Sequence, residues 1–407
     1  MRAANRDMMR AINRCNILRT IRMGGCISRK DIAGQTGLSL ATVTGITAEF
    51  IKEGIVYEKE AVSSTSGRPP VLLALNPDGA FVAGAYISAD KISVVIINLE
   101  AKVVGSHFVR VTPGINSPQE IIELLAEAIK TCRLNNGFIP DDIVGLGLGI
   151  PGLVNHREGL IHFHPGFNRG AGWEDVPFSS LVEQETGFQT FIENSSNTLA
   201  IYEQWFGDAR GCENFFVVTL EHGIGLGLIV NGRLVRGWKG MAGELGHVSC
   251  YQNEQPCRCG LSGCLEAVGS NFSILRDAKQ LAQKNVWHPA NPEKIKIEDV
   301  IDAAKQGHPE LQNIFTQAGT VLGRRISDLT RVLDPEKVII TGKSYLAKDM
   351  LFAPLNKAME SRACEVFGQI PELVIRPWKE ENYARGAGAL VLEKLHQSCA
   401  IPEDLYE

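Results

Sequence analysis

Apolar residues near the start of the chain recur with helical spacing. Met8, Ile12, Ile17 and Ile21 fall on or near one stripe of a helix over 4–23, which Gly24 and Gly25 stop. Ser28, with Asp31 three positions on, caps a short helix over 29–35, and Ser39 caps a second that runs to about residue 53. Ile32, Ala33, Gly37, Leu38, Val43 and Ile46 have the spacing of a helix-turn-helix, with small Ala33 at the crossing and Gly37 in the turn. Leu40, Ala41, Thr44 and Gly45 then point outward, small or uncharged, as suits a helix seated in a major groove. Arg29 joins them as an expected DNA contact. Strands over 55–60 and 71–75 flank a polar stretch that reads as a wing, with Gly67-Arg68-Pro69-Pro70 offering Arg68 to a minor groove. A helical protein-docking domain with a flexible linker is the competing interpretation.

Beyond residue 77 the pattern alternates between strand and helix periods. Hairpins over 81–98 and 215–230 and a buried strand over 143–148 are expected. Helices are expected over 117–132, 274–284, 297–306, 309–332 and 383–395. That alternation predicts an α/β body in two lobes. Trp173 reads as core packing.

Charge and composition sharpen the picture. Residues 1–75 hold 11 Lys/Arg against 6 Asp/Glu, leaving 30 against 40 for the rest, so a basic head precedes an acidic body. No run approaches the ~20 apolar residues of a membrane span, and the first residues lack a signal-peptide core, so a cytoplasmic protein without membrane insertion is expected. Of ten cysteines, Cys250, Cys257, Cys259 and Cys264 cluster. His247 with Cys257, Cys259 and Cys264 makes a complete tetrahedral donor set for one structural zinc, with Gly260 and Gly263 letting the chain curl round the ion. Cys250 is the alternative fourth ligand.

These segments, Gly243-Glu244-Leu245-Gly246-His247 and the stretch from Cys257 to Glu266, resemble the ROK family, which joins sugar-responsive repressors and sugar kinases. With its winged head the chain is similar to the repressor branch, across essentially its whole length. The resemblance implies a winged helix-turn-helix over 1–76 and a two-lobed, actin-like (RNase H-like) body. The first lobe would span 77–194, completed by a helix near 381–399, and the second 195–380, with the zinc site and an oligomerisation surface. It implies sugar contacts from Gly152, Asn168, Asn194, Glu244, His247 and Glu266.

A kinase of this family needs a base, where this chain has Ser195 in Glu193-Asn194-Ser195-Ser196-Asn197; an unassisted serine cannot take that proton near neutral pH. The first phosphate loop is replaced by Tyr86-Ile87-Ser88-Ala89-Asp90, and the second turn begins with Glu221. Lys343 replaces the second glycine of a late turn. The glycines at 223, 225 and 227 alone are weak evidence for nucleotide, because tight hairpin packing explains them equally well. No catalytic residue and no ATP are therefore expected. The expectation is a sugar-responsive repressor of carbohydrate uptake or catabolism genes, with operator DNA, a sugar effector and a homodimer or tetramer as its partners. The alternatives are an ATP-dependent sugar kinase with an appended DNA-binding head, or a regulator governed by a sugar-transport protein.

Overall fold

The computed structural model describes residues 6–60, 71–112, 117–165, 172–250, 254–362 and 370–397. Arg68 and Asn168, assigned above to DNA and sugar, lie outside them. The chain divides into two compact units, one of residues 1–194 and 383–407 and one of residues 195–382.

The first unit opens with α1 (Arg6–Gly24), β1 (Ile27–Ser28), α2 (Arg29–Thr36), α3 (Leu40–Lys52), β2 (Val56–Glu60) and β3 (Val71–Leu75), with strand order β1-β3-β2. Both caps form: Ser28 accepts the Asp31 N–H and Ser39 the Thr42 N–H. Ile17, Ile21, Ile32, Val43, Ile46, Phe50 and Leu73 close one small core. Arg10 and Arg14 pair with Glu49, and Arg14 also with Glu53, pinning α1 to α3.

The rest of this unit is β4 (Phe81–Ile87), β5 (Lys91–Asn98), β6 (Val103–Arg110), α4 (Pro118–Asn135), β7 (Ile143–Ile150), β8 (Leu153–Asn155), β9 (Leu160–Phe163), α5 (Phe178–Thr186) and β10 (Thr190–Asn194). The main sheet runs β10-β7-β4-β5-β6, with β10 and β4 parallel to β7. Strands β4, β5 and β7 are buried along nearly their whole length, as strands covered on both faces are, whereas edge strand β6 alternates. Trp173 is buried against Phe178 and His164, so core packing accounts for it.

The second unit starts with α6 (Ser195–Phe206), β11 (Phe215–Leu220), β12 (Ile224–Val230) and β13 (Arg233–Leu234). It continues through α7 (Glu266–Gly269), α8 (Asn271–Gln283), α9 (Ile297–Lys305), α10 (Pro309–Leu333), β14 (Lys337–Thr341), α11 (Asp349–Glu360) and β15 (Glu372–Ile375). Its sheet order is β13-β12-β11-β14-β15. A Cβ on Gly225 would lie 2.0 Å from Ser196 Oγ, and one on Gly227 2.3 Å from Ser196 O, so this glycine run serves close packing of β12 on α6. The described residues end in α12 (Glu380–Gln397), which belongs to the first unit from Tyr383 onward, where Tyr383 stacks on Tyr86 at 4.5 Å. No helix among the described residues is long and apolar enough to cross a membrane.

Candidate DNA-binding face, metal centre and effector wall

On α3, Val43, Ile46, Thr47 and Phe50 face inward, leaving Leu40, Ala41, Thr44 and Gly45 exposed on the opposite side. The Thr44 hydroxyl donates to Leu40 O, so its oxygen keeps acceptor capacity. Arg29 does not share this face. Its guanidinium donates to Glu58 Oε1 at 2.8 Å and to Thr47 Oγ1 at 3.1 Å, tying α2 to β2 and α3. Arg29 thus braces the head in the DNA-free chain. Its partner lies 29 residues downstream, beyond the reach of local helix pattern.

In the second unit, one ligand atom each of His247, Cys257, Cys259 and Cys264 lies within 4.8 Å of all the others. Cys257 Sγ is 3.6 Å from His247 Nδ1, and Cys259 Sγ is 3.7 Å from Cys264 Sγ. Zinc–ligand bonds of about 2.3 Å to sulfur and about 2.0 Å to nitrogen give tetrahedral edges of roughly 3.5–3.8 Å, so the donor set fits such an ion. Gly260 (φ 95°) and Gly263 (φ 77°) take left-handed conformations that only glycine adopts cheaply. The loop closes through Cys257 N–H to Leu261 O, Gly263 N–H to Gln255 O and Leu265 N–H to Val248 O. Cys250 is absent from the cluster. It is buried in the apolar core of this unit, and desolvation pushes its thiol pKa up.

The same loop sets the carboxylates. His247 turns Nδ1 towards the thiols while Nε2 lies 3.8 Å from Glu244 Oε2. Burial raises the Glu244 pKa. Glu266, 5% exposed, begins α7 directly after the last cysteine turn. Glu244, His247 and Glu266 are thus gathered at the start of β12. In the first unit, Asn194 Nδ2 donates to Gly152 O at 2.8 Å, joining two other expected sugar residues.

The carboxylates of the segments set against kinase phosphate loops are already hydrogen-bonded within the chain. Between β4 and β5, Ser88 Oγ donates to Asp90 Oδ1 at 2.8 Å and Ser88 N–H to Lys91 O at 2.9 Å, a short hairpin turn with a carboxylate at its tip. Between β11 and β12, the Trp378 indole N–H donates to Glu221 Oε1 at 2.7 Å. The Lys343 ammonium sits 5.0 Å over the Trp378 ring. Ser195, 8% exposed, is the first residue of α6. The Trp378–Glu221 bond spans 157 residues and escapes sequence reasoning, as does the grip of Arg258 on Glu266 described below.

The ROK family model matches residues 82–394, and a winged helix-turn-helix DNA-binding model matches residues 11–57. The chain belongs to the ROK family. Among its relatives, the xylose repressor of Caldicellulosiruptor bescii is 29% identical over 88% of this chain and 90% of its own length. The glucokinase of Thermotoga maritima is 30% identical over 77% of this chain and 97% of its own. A solved ROK family transcriptional regulator, described as a homologue of the E. coli MLC protein, superposes with a TM-score of 0.81 at 25% identity. That match covers 96% of this chain and 99% of the other. The glucokinase match leaves nearly a quarter of this chain uncovered, whereas the regulator match covers nearly all of it.

Proposed function

We propose that this ROK protein is a cytoplasmic, sugar-responsive repressor of carbohydrate uptake or catabolism genes that transfers no phosphoryl group. The observation that carries the reading is the fusion itself: a winged helix-turn-helix on a ROK body, similar over 96% of its length to a ROK transcriptional regulator. In this reading the α3 face of Leu40, Ala41, Thr44 and Gly45 meets base edges, and Arg68 enters the flanking minor groove. The metal is zinc, held by His247, Cys257, Cys259 and Cys264. Four protein ligands leave no open position for catalytic water, so it is structural. It anchors Glu244 and Glu266, whose carboxylates accept from sugar hydroxyls, and His247, whose Nε2–H donates to a sugar oxygen. Gly152, Asn168 and Asn194 supply further sugar contacts.

Loss of kinase activity is supported by Ser195 in the base position and by carboxylates at Asp90 and Glu221, where a triphosphate would meet like charge. The protein works as a homodimer or tetramer, placing two heads on half-sites about 34 Å or a multiple apart. The effector acts by favouring one conformation over another. The experiment is a gel shift on DNA upstream of the protein's own gene, titrated with pentoses, hexoses and amino sugars. Retardation relieved or strengthened by one sugar is expected, and no retardation under any condition sinks the reading. The glucokinase relative favours the rival kinase reading, which predicts sugar-dependent ADP release. A DNA response indifferent to every sugar but altered by a co-purifying transport protein would shift control to that partner.

A further inference from the structure

Glu266 is not a free carboxylate. Oε1 accepts Arg258 Nε at 3.2 Å and Nη2 at 2.8 Å, while Oε2 accepts the Ile224 N–H at 3.2 Å. A carboxylate offers about four lone-pair positions, so one remains, on Oε2. Arg258 is itself held: its guanidinium lies 5.0 Å over the Phe272 ring, and Phe272 N–H donates to His222 O. Gly223 sits directly beneath the pair. A Cβ there would lie 2.3 Å from Glu266 Oε2 and 3.2 Å from Arg258 Nη2, with Glu266 Cδ next at 3.3 Å. Gly223 is not among the residues with positive φ, so the backbone would accept a side chain. What leaves no room is the carboxylate–guanidinium pair. The turn set against a kinase phosphate loop thus spends a backbone donor on the effector carboxylate.

We propose that Arg258, braced on Phe272, and the turn at Gly223 and Ile224 are the positioning elements of the effector site, holding Glu266 so that it accepts a single hydroxyl of a neutral aldose. The inference rests on the sugar-sensing reading and adds residues that act through Glu266 rather than on the sugar. Partners that orient a binding group are commonly worth 10–100-fold in affinity at metal centres, and the same order is expected here.

The test is calorimetric titration of the full-length, zinc-loaded chain with xylose, glucose and N-acetylglucosamine. Wild type is compared with R258Q, R258K, G223A, E266Q and R258Q/E266Q, with zinc content and melting temperature followed for each. R258Q and G223A are expected to bind about tenfold more weakly while keeping their zinc. R258K, which keeps the charge but loses the fork, should recover part of the affinity. The double variant should bind no more weakly than E266Q, because Arg258 acts through that carboxylate. R258Q and G223A binding like wild type overturns the inference, as does a double variant in which the two losses multiply. Should R258Q lose its zinc or melt early, G223A and R258K decide by the same criteria. Failure of wild type to bind any of the three sugars would count against the sensing reading itself; binding that no variant alters removes only the positioning role.

Discussion

His164 gives the sharpest stability prediction. It follows β9, is 2% exposed and packs against Trp173 at 5.4 Å. Burial drives its pKa down to about 3, partly offset by a hydrogen bond with the backbone of Ile87. In the unfolded chain the ring titrates near the ordinary value of 6.5. The folded pKa is depressed, so the ring's contribution is fully present above about pH 6.5 and is lost as pH falls towards 3. Each pH unit in that window costs about 1.4 kcal/mol. Between pH 7.5 and 5.0 the loss comes to about 2 kcal/mol, a sizeable share of a typical folding free energy of about 5–15 kcal/mol. His164→Gln cannot take the proton. Urea unfolding at both pH values, followed by tryptophan fluorescence, should show wild type losing about 2 kcal/mol more than the variant on acidification. Equal losses would mean that His164 accepts its proton inside the fold, and the burial argument would be wrong.

Other outcomes follow from the sites. Stripping the ion with a strong chelator at neutral pH, or replacing Cys264 with Ser, should release zinc and abolish sugar-dependent changes in DNA binding. Structural zinc is worth about 10–16 kcal/mol in isolated zinc-finger peptides, so the melting temperature should fall clearly; an unchanged melting curve would contradict a structural ion. Ser195→Asp should yield no sugar-dependent ADP release in a coupled assay if, as proposed, Asp90 and Glu221 each stand in place of a phosphate-binding turn; turnover would refute the assignment of those turns. Ala41→Asp on the exposed face of α3 should weaken operator binding at least tenfold with little change in melting temperature. Arg29→Gln, by contrast, should cost up to about 1 kcal/mol of stability and leave base preference intact, since its partner is Glu58. A loss of base preference in that variant would return Arg29 to the DNA face.

Much of this protein is legible in the chain itself. The caps at Ser28 and Ser39, the two hairpins and the long helices depend on neighbours a few residues apart, which periodicity reports directly. The metal cluster is legible too, because His247 and the three cysteines fall within 18 residues and their chemistry leaves few alternatives. Helices α6 and α11 and strands β10 and β14 are not apparent as periodic patterns. Strands β10 and β14 are too short to show a period, α6 opens on the polar run from Ser195 to Thr198, and α11 carries Pro354 inside it. Periodicity does not tell effector-binding residues from nucleotide-handling ones; only likeness to family motifs bears on that.

The tertiary structure decided which polar groups are already spent. Arg29 seeks Glu58, Glu221 takes the Trp378 indole, and Glu266 is gripped by Arg258 and the Ile224 N–H. Glu266 and Arg258 are eight residues apart, yet their meeting depends on the loop that gathers His247 with Cys257, Cys259 and Cys264. Sequence determined the donor types and the local elements, because both depend on residue identity and short-range sterics. Pairing depends on which distant surfaces pack, and only the folded chain settles that.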